Sequence, residues 1–349
     1  MKLLISLFLL LLLTIGAGLY GKHFVESWSL ERHTIPSAIV YDFKRGTSLK
    51  QLSLDLYQRG VVNKGRLLHY WVRYFDDYSK FQAGSYKFEG AIAPADIISM
   101  MKGGDTFVPV VLQFTIPEGF TYKKITDRLV AGGVGSPEEF AALEKSKTFL
   151  TEHKIPSSSV EGYLYPATYP FSKIPTVKQA LSRMIDTFWD NLPPDYAERV
   201  AEKELTLEQA VTFASLIELE TAHDDERNLV SEVIWNRLND NITLGIDASV
   251  IYGVADYKGN LQRKHLDDAT NPYNSRIHGG LPPTAIGSPS RKSLEAVLTP
   301  SNFGYYYYVL DPSQGNRHHF SKTLKEHNRY VRKLINATRR NKRAASGRQ

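Results

Sequence analysis

Glu218 and Glu220 stand near the end of a segment that opens with Thr206-Leu-Glu-Gln209. That opening has the form of a capping box, a hydroxyl at the N-cap and an amide side chain three residues on. It predicts a helix that begins at Leu207. At 3.6 residues per turn, Leu207, Ala210, Val211, Ala214 and Ile217 share one arc, and Glu218 falls inside it, roughly 20° from Leu207. A carboxyl on an apolar arc is costly to leave unpaired, so it must be buried with a partner or functional. Two readings are open. Glu218 is a general acid whose proton is held by desolvation, or it is a structural carboxylate paired with an arginine such as Arg227 or Arg237. Glu220 points to the other side, because residues two apart on a helix do not face each other. The pair therefore cannot straddle one scissile bond.

Several other chemistries have no residues to perform them. Cysteine is absent from all 349 positions, which removes thiolate metal sites, disulfides and a cysteine nucleophile together. His318, His319 and His327 lack His-Glu-x-x-His spacing, so no metal site is expected. There is no Gly-rich phosphate loop and no Gly-x-Ser-x-Gly elbow, and no cofactor is expected. The net charge of +6 is mild and partly sits in Arg339-Arg340-Asn341-Lys342-Arg343. A basic tail of this kind suits anionic lipid or polymer, or is simply solvated; no nucleic-acid motif accompanies it.

The elements that must position Glu218 begin at a membrane. After Lys2, the run Leu3–Tyr20 is apolar or small and uncharged, about long enough to cross the hydrocarbon core as a helix. Gly16-Ala17-Gly18 is a poor cleavage site, so an uncleaved anchor over 1–22 is expected, with the N-terminus inside and the rest outside. Residues 23–37 read as a mixed-charge linker. Beyond it, Gly46, Lys50, Leu56, Gly60 and Val61 recur at one constant offset as Gly119, Lys123, Leu129, Gly133 and Val134, with Leu52 matched by Ile125. Each copy reads as a strand (39–43; 110–116), a Gly turn and a short helix. Gly84–Phe88 reads as a further strand, and Pro94 starts a helix that ends before Gly103-Gly104. The strand-helix-helix-strand unit over 38–105 resembles LysM-like modules, which bind N-acetylglucosamine polymers; a plain spacer is the alternative. A larger domain follows over 106–338, with the second copy at 110–140, and a basic tail occupies 339–349. The expected fold class is α+β: a transmembrane helix, a LysM-like module, then a mixed α/β domain with Glu218 near a helix C-terminus.

Ordered blocks along this frame carry a resemblance. They are Glu161-Gly-Tyr-Leu-Tyr-Pro166; Ala214-Ser-Leu-Ile-Glu218-Leu-Glu220-Thr221; Glu226-Arg227; Val233-Ile-Trp-Asn236-Arg237-Leu238; Asp247-Ala-Ser-Val-Ile-Tyr252-Gly253; Tyr273-Asn274; Gly280-Leu-Pro-Pro283; and His318-His319-Phe320-Ser321. Taken in this order, they resemble the endolytic murein transglycosylase (YceG-like) family over nearly the whole chain. The resemblance implies an inner-membrane, single-pass lyase with its catalytic domain in the periplasm. Its substrate would be peptidoglycan strands, and its partners peptidoglycan synthases and the elongation machinery. Glu218 stands where the family has its catalytic glutamate. Gly245-Ile246-Asp247-Ala248-Ser249 departs from the family's usual Gln-x-Asp-Pro-Thr, which bears on substrate contacts there.

Given a glycan substrate, Asn236, Asp247, Tyr252, Tyr273 and Asn274 are candidates to contact it. His318 is a candidate to orient Glu218 or a sugar hydroxyl. Each also has a structural reading: Asn236 as a brace between helices, His318 as a core or surface histidine. Two other functions stay open at this point. A muramidase-type hydrolase would need Asp247 or Glu161 opposite Glu218, and a non-catalytic glycan-binding protein would need only a paired Glu218.

Overall fold

The computed structural model describes the backbone of residues 2–346 except 312 and 316, and the side chains of residues 7–339 with the same exceptions. The chain mixes helices with short antiparallel strand pairs and divides into two compact units, 1–109 and 110–349.

The first unit opens with α1 (Lys2–Leu30), apolar and long enough to cross a membrane. The helix does not end at Lys22. Val25 and Trp28, three apart and on one face, are buried in the unit's core, and Trp28 donates its indole N–H to Asn63 Oδ1 at 2.8 Å. The Trp28 ring meets Trp71 edge-on at 6.4 Å. Strand β1 (His33–Phe43) follows with only Glu31 and Arg32 between it and α1. The stretch 23–37, expected as a linker, is therefore helix and strand. Its charges mislead because they lie outside the buried stripe, Lys22 and Glu26 facing each other at 3.7 Å in solvent.

After β1 come α2 (Leu49–Gln58), α3 (Gly65–Phe75), β2 (Gly84–Ile92) and α4 (Pro94–Gly103). β1 and β2 pair antiparallel, Tyr41 opposite Tyr86 and Phe43 opposite Gly84. Leu52, Leu56, Leu68, Val72, Phe88, Ile97 and Met101 fill the space between the strands and helices. Each such burial stabilises by about 1.5–3 kcal/mol.

In the second unit β3 (Leu112–Thr115) pairs antiparallel with β4 (Thr168–Phe171). Between them lie α5 (Tyr122–Ala131), α6 (Pro137–Glu144) and α7 (Lys147–Glu152). α8 (Val177–Asn191) buries the stripe Val177, Ala180, Leu181, Met184 and Phe188 and stops before Pro193-Pro194, whose rings cannot continue a helix. Then come α9 (Tyr196–Ala201), α10 (Leu207–Glu220), a 3-10 turn at Asp224–Glu226, α11 (Arg227–Asn239), α12 (Asp247–Tyr252), α13 (Arg263–Leu266) and α14 (Arg291–Leu298). β5 (Tyr307–Asp311) and β6 (Arg317–Ser321) form an antiparallel pair, followed by α15 (Leu324–Ser346). The helix backbone of α15 continues through most of the basic tail; the side chains of 340–349 lie outside the described residues.

α10 is the axis of this unit. Its arc Ala210, Val211, Ala214 and Ile217 is buried, but so are Phe213 and Leu216 on other faces. The helix is enclosed over its middle, Ala210–Ile217, and both its first and last turns reach partly open ground.

Candidate active site

The capping box sets where α10 begins. Thr206 Oγ1 accepts the Gln209 N–H at 3.2 Å, and Gln209 Oε1 accepts the Thr206 N–H at 2.8 Å. Twelve residues later Glu218 emerges in the final turn, with 4% of its side chain exposed.

Three donors converge on the Glu218 carboxyl from two other elements. Ser290, the N-cap of α14, gives Oε2 its backbone N–H at 2.8 Å and its hydroxyl at 2.5 Å. Arg227, the first residue of α11, reaches Oε1 with Nη1 at 3.1 Å. That guanidinium is itself nearly enclosed, at 5% exposure. Nη1 also donates to Ser293 Oγ at 2.7 Å, and Nε donates to Asp224 Oδ1 at 3.2 Å. Lys292 pairs with Asp224 from the solvent side. The arginine pairing foreseen as the structural alternative is thus present. It does not remove the functional reading, because donors that pair a carboxylate also hold the anion left when an acid gives up its proton.

A second carboxyl, not foreseen from the sequence, shares Arg227. Glu118 Oε2 lies 3.8 Å from Nη2, and its side chain is 54% exposed. Burial pushes the Glu118 carboxyl above its ordinary range, and the charge of Glu218 adds to this. Glu118 is carried by the Gly turn of the second repeat copy, which passes directly over α10. Gly119 has φ +68°, and a Cβ there would meet Leu219 Cδ2 at 2.9 Å and Glu218 Cγ at 3.9 Å. The turn is tied down by Gly119 N–H to Ser288 O and Ser288 N–H to Phe120 O, both 2.9 Å. A Cβ on Gly287 would approach Gly119 O to 2.9 Å, so a second glycine permits the close passage.

Glu220 ends α10 in a different set of contacts. Burial pushes its carboxyl up, while Tyr308, by hydrogen bond, and His318 and Arg237, by charge, oppose the shift. The two glutamates therefore occupy separate environments, as their spacing predicts.

The remaining candidates divide. His318 turns Nδ1 to Glu226 Oε2 at 2.8 Å and its backbone N–H to Oε1 at 2.9 Å, so its partner is Glu226 and not Glu218. Burial pushes the Glu226 carboxyl up, but the His318 and Thr221 hydrogen bonds outweigh it and hold it below the ordinary range. Asn236 donates to Tyr305 O at 2.8 Å, the bracing role. Beside it Glu232, also unforeseen, accepts the N–H groups of Phe303, Gly304 and Tyr305 and pins the loop before β5. Asn274 as a substrate contact is corrected: it is fully buried, and its amide donates to the carbonyls of Leu266 (3.1 Å) and Asp268 (2.9 Å), closing the loop after α13.

Asp247 is exposed and bound by Arg276 at 2.6 Å. Tyr252 donates to Glu161 Oε2 at 3.0 Å, and its ring meets Tyr273 edge-on at 4.7 Å. Tyr273 keeps its hydroxyl on Thr284. Glu161 is buried, accepts the Tyr122 N–H on both oxygens, and is pushed up to about 7 by burial. Neither Asp247 nor Glu161 is hydrogen-bonded to Glu218 or to Arg227; the carboxyls that join Glu218 at Arg227 are Asp224 at 3.2 Å and Glu118 at 3.8 Å.

Comparison with known proteins adds independent findings. The YceG-like family matches residues 41–333. A protein of Bacillus subtilis named endolytic murein transglycosylase is 28% identical, over 92% of this chain and 91% of its own length. One of the same name from Streptococcus pneumoniae is 25% identical over 95% of this chain, which spans 65% of that relative's length. A crystal structure of a yceG-like protein from Listeria monocytogenes superposes with a TM-score of 0.57 at 28% identity, covering 84% of this chain and 98% of that one.

Proposed function

The chain belongs to the YceG-like family, and from that premise we propose that it is a membrane-anchored endolytic lytic transglycosylase of peptidoglycan. The observation that carries this reading is Glu218, in the partly open last turn of a helix enclosed over its middle, with donors from Arg227 and Ser290 on both carboxyl oxygens. Glu218 gives its proton to the oxygen bridging N-acetylmuramic acid and N-acetylglucosamine as the muramic acid C1–O bond breaks. The carboxylate left behind is held by Arg227 and Ser290. It then removes the proton from the same muramic acid's C6 hydroxyl, whose oxygen closes on C1. The product is a 1,6-anhydro end, and no water is consumed.

The fold around the site suits this use. The order β1-α2-α3-β2 in the first unit supports a LysM-like glycan contact. The apolar length of α1 supports an inner-membrane anchor with the rest of the chain outside, where peptidoglycan synthases and emerging strands are the partners. Tyr252, Tyr273 and Asp247 remain the proposed sugar contacts. A muramidase-type hydrolase is the second reading, and Glu118 is the observation that favours it, since a second carboxyl could activate water. Mass spectrometry of uncrosslinked glycan strands after digestion separates the two, because anhydro and reducing ends differ by one water. Long fragments with anhydro ends are expected. Reducing ends would support the hydrolase, and disaccharides released from one terminus would sink the endolytic part.

A further inference from the structure

Taking α1 as the membrane anchor of that proposed enzyme, we infer that the first unit is seated on the bilayer surface, its aromatic and basic underside in contact with anionic phospholipid headgroups. The boundary can be read along α1. Every described residue from Leu7 to Phe24 is exposed, and Val25 is the first that the unit buries. Lys22 is the first charge after Lys2. A hydrocarbon core of about 30 Å takes up about 20 residues of helix, which brings its outer edge to Lys22. Val25 then lies about 4.5 Å beyond that edge and Trp28 about 9 Å. The headgroup layer is itself roughly 5–7 Å deep. The helix runs unbroken through both levels to Leu30, so no linker separates the unit from lipid. Trp28 is locked into the unit by Asn63 and Trp71. The underside of the unit therefore lies in the headgroup layer.

The side chains at that level suit the place. The Lys64 ammonium stands 5.5 Å from the centroid of the half-exposed Phe24 ring, so the α2–α3 connection sets a cation where α1 leaves the hydrocarbon. Arg66 follows in the first turn of α3 and is exposed. The ion pairs of this unit use other cations, leaving Lys64 and Arg66 unpaired among the described residues. Gly65 lets α3 begin directly against α2, since a Cβ there would stand 2.8 Å from Tyr57 Cβ. Tyr57 is thereby held beside Lys64 with half its surface open, and Tyr20 is exposed on α1 itself. Rings with a polar tip and unpaired cations are the side chains that headgroups receive best.

A unit held in this way does not swing on a tether. On the functional reading above, any glycan it contacts is met at the membrane surface.

Two measurements on the full chain test this, both in vesicles of equal parts phosphatidylcholine and phosphatidylglycerol. In the first, a nitroxide is placed on single cysteines, Tyr20→Cys, Glu31→Cys or Gln58→Cys, the chain having no cysteine of its own. Gln58 is exposed at the end of α2, next to Tyr57. Its label should be shielded from an aqueous nickel chelate much as the Tyr20→Cys label is. The Glu31→Cys label, about 13 Å past Lys22, should collide with the chelate freely. In the second, native mass spectrometry reads which lipid the chain keeps on release from the vesicles. Phosphatidylglycerol should be kept over phosphatidylcholine, and Lys64→Gln and Arg66→Gln should each lower that preference by about fivefold. Lys64→Arg should keep it, as should Lys87→Gln, whose cation is already paired with Glu89 at 2.6 Å. A Gln58→Cys label as open to the chelate as that at Glu31→Cys would overturn the seating. A wild-type chain with no lipid preference, or an equal loss in Lys87→Gln, would overturn the headgroup contact. Release of the chain from membranes by an alkaline carbonate wash would instead overturn the anchor reading on which the seating rests.

Discussion

The two copies of the repeat fold alike and are put to different ends. Gly46 and Gly119 both turn with positive φ, +88° and +68°. Ser48 and Thr121 both cap the helix that follows. Leu52, Leu56 and Val61 are fully buried, as are Ile125, Leu129 and Val134. Gly60 and Gly133 close the helices identically, with Val61 N–H to Leu56 O at 2.8 Å and Val134 N–H to Leu129 O at 3.0 Å. The difference is in what the first turn meets. A Cβ at Gly46 would find open space, while one at Gly119 would strike Leu219 beside Glu218. A turn that is only a turn in one unit has become the roof of the acid in the other.

The largest effect that would break this contrast lies at Glu218 itself. Glu218→Gln should cut strand cleavage by on the order of 10²-fold or more while the melting temperature stays close to wild type, since the amide keeps the side chain's shape. Near-normal turnover in that variant would remove the acid from the second unit and leave the two copies equal in function. Next in size is a matched pair of glycine substitutions. Gly46→Ala and Gly119→Ala each force a side chain into the left-handed region, at about 1 kcal/mol. Only Gly119→Ala adds the clash with Leu219, so it alone should lower cleavage, by about tenfold, because the roof over the acid must shift. Equal activity in both variants would mean that the close passage over α10 does not matter.

How much of this was legible follows the same division between local and distant causes. The starts of α2, α4 and α10 were readable because a cap, a proline or a turn glycine fixes them within a few residues. Glu218 stood out because one carboxyl interrupted an apolar arc, and Arg227 was nameable as its partner from proximity in sequence. Glu118 and Ser290 were not, because each reaches Glu218 only through the tertiary packing of turns that carry no chemical signature of their own. Asn274 was misread for a similar reason. An Asn beside a Tyr suggests a sugar contact, but the carbonyls it binds, at 266 and 268, belong to a loop with no periodicity to read. The false linker at 23–37 shows the converse, a charged surface that hides two buried side chains at helical spacing.

A pH experiment sharpens the comparison from a group that only the second copy has. Glu161 accepts the Tyr122 N–H at the head of α5, and burial raises its carboxyl to about 7. The folded state therefore holds this proton more tightly than the unfolded chain. The stabilisation is fully present below the unfolded value, near 4.5, and is lost as pH rises through about 7. Thermal unfolding should show the second unit weakening over that window by an amount on the order of 2–3 kcal/mol. Glu161→Gln should flatten the dependence. A wild-type melting curve with no pH dependence between those values would show that Glu161 titrates as it does in water.

The smallest effect concerns the caps, and it isolates what Glu161 adds. Ser48 Oγ accepts the Gln51 N–H at 3.2 Å, and Thr121 Oγ1 accepts the Lys124 N–H at 3.3 Å. Removing either by alanine frees one orphan donor at a helix start, at about 1 kcal/mol. The two helices are not otherwise equal. α5 keeps Glu161 on its first N–H, and above pH 7 that carboxylate also opposes the positive end of the helix dipole, by about 0.3–1 kcal/mol. Thr121→Ala should therefore be the milder loss at pH 8, and the gap should close near pH 5, where Glu161 is protonated. Native-state amide exchange at Gln51 and Lys124 reads both helix starts in one intact protein, with no need to separate the units. Equal protection factors at pH 8, or a gap that persists at pH 5, would mean that Glu161 holds the backbone through burial and hydrogen bonding alone and contributes nothing by charge.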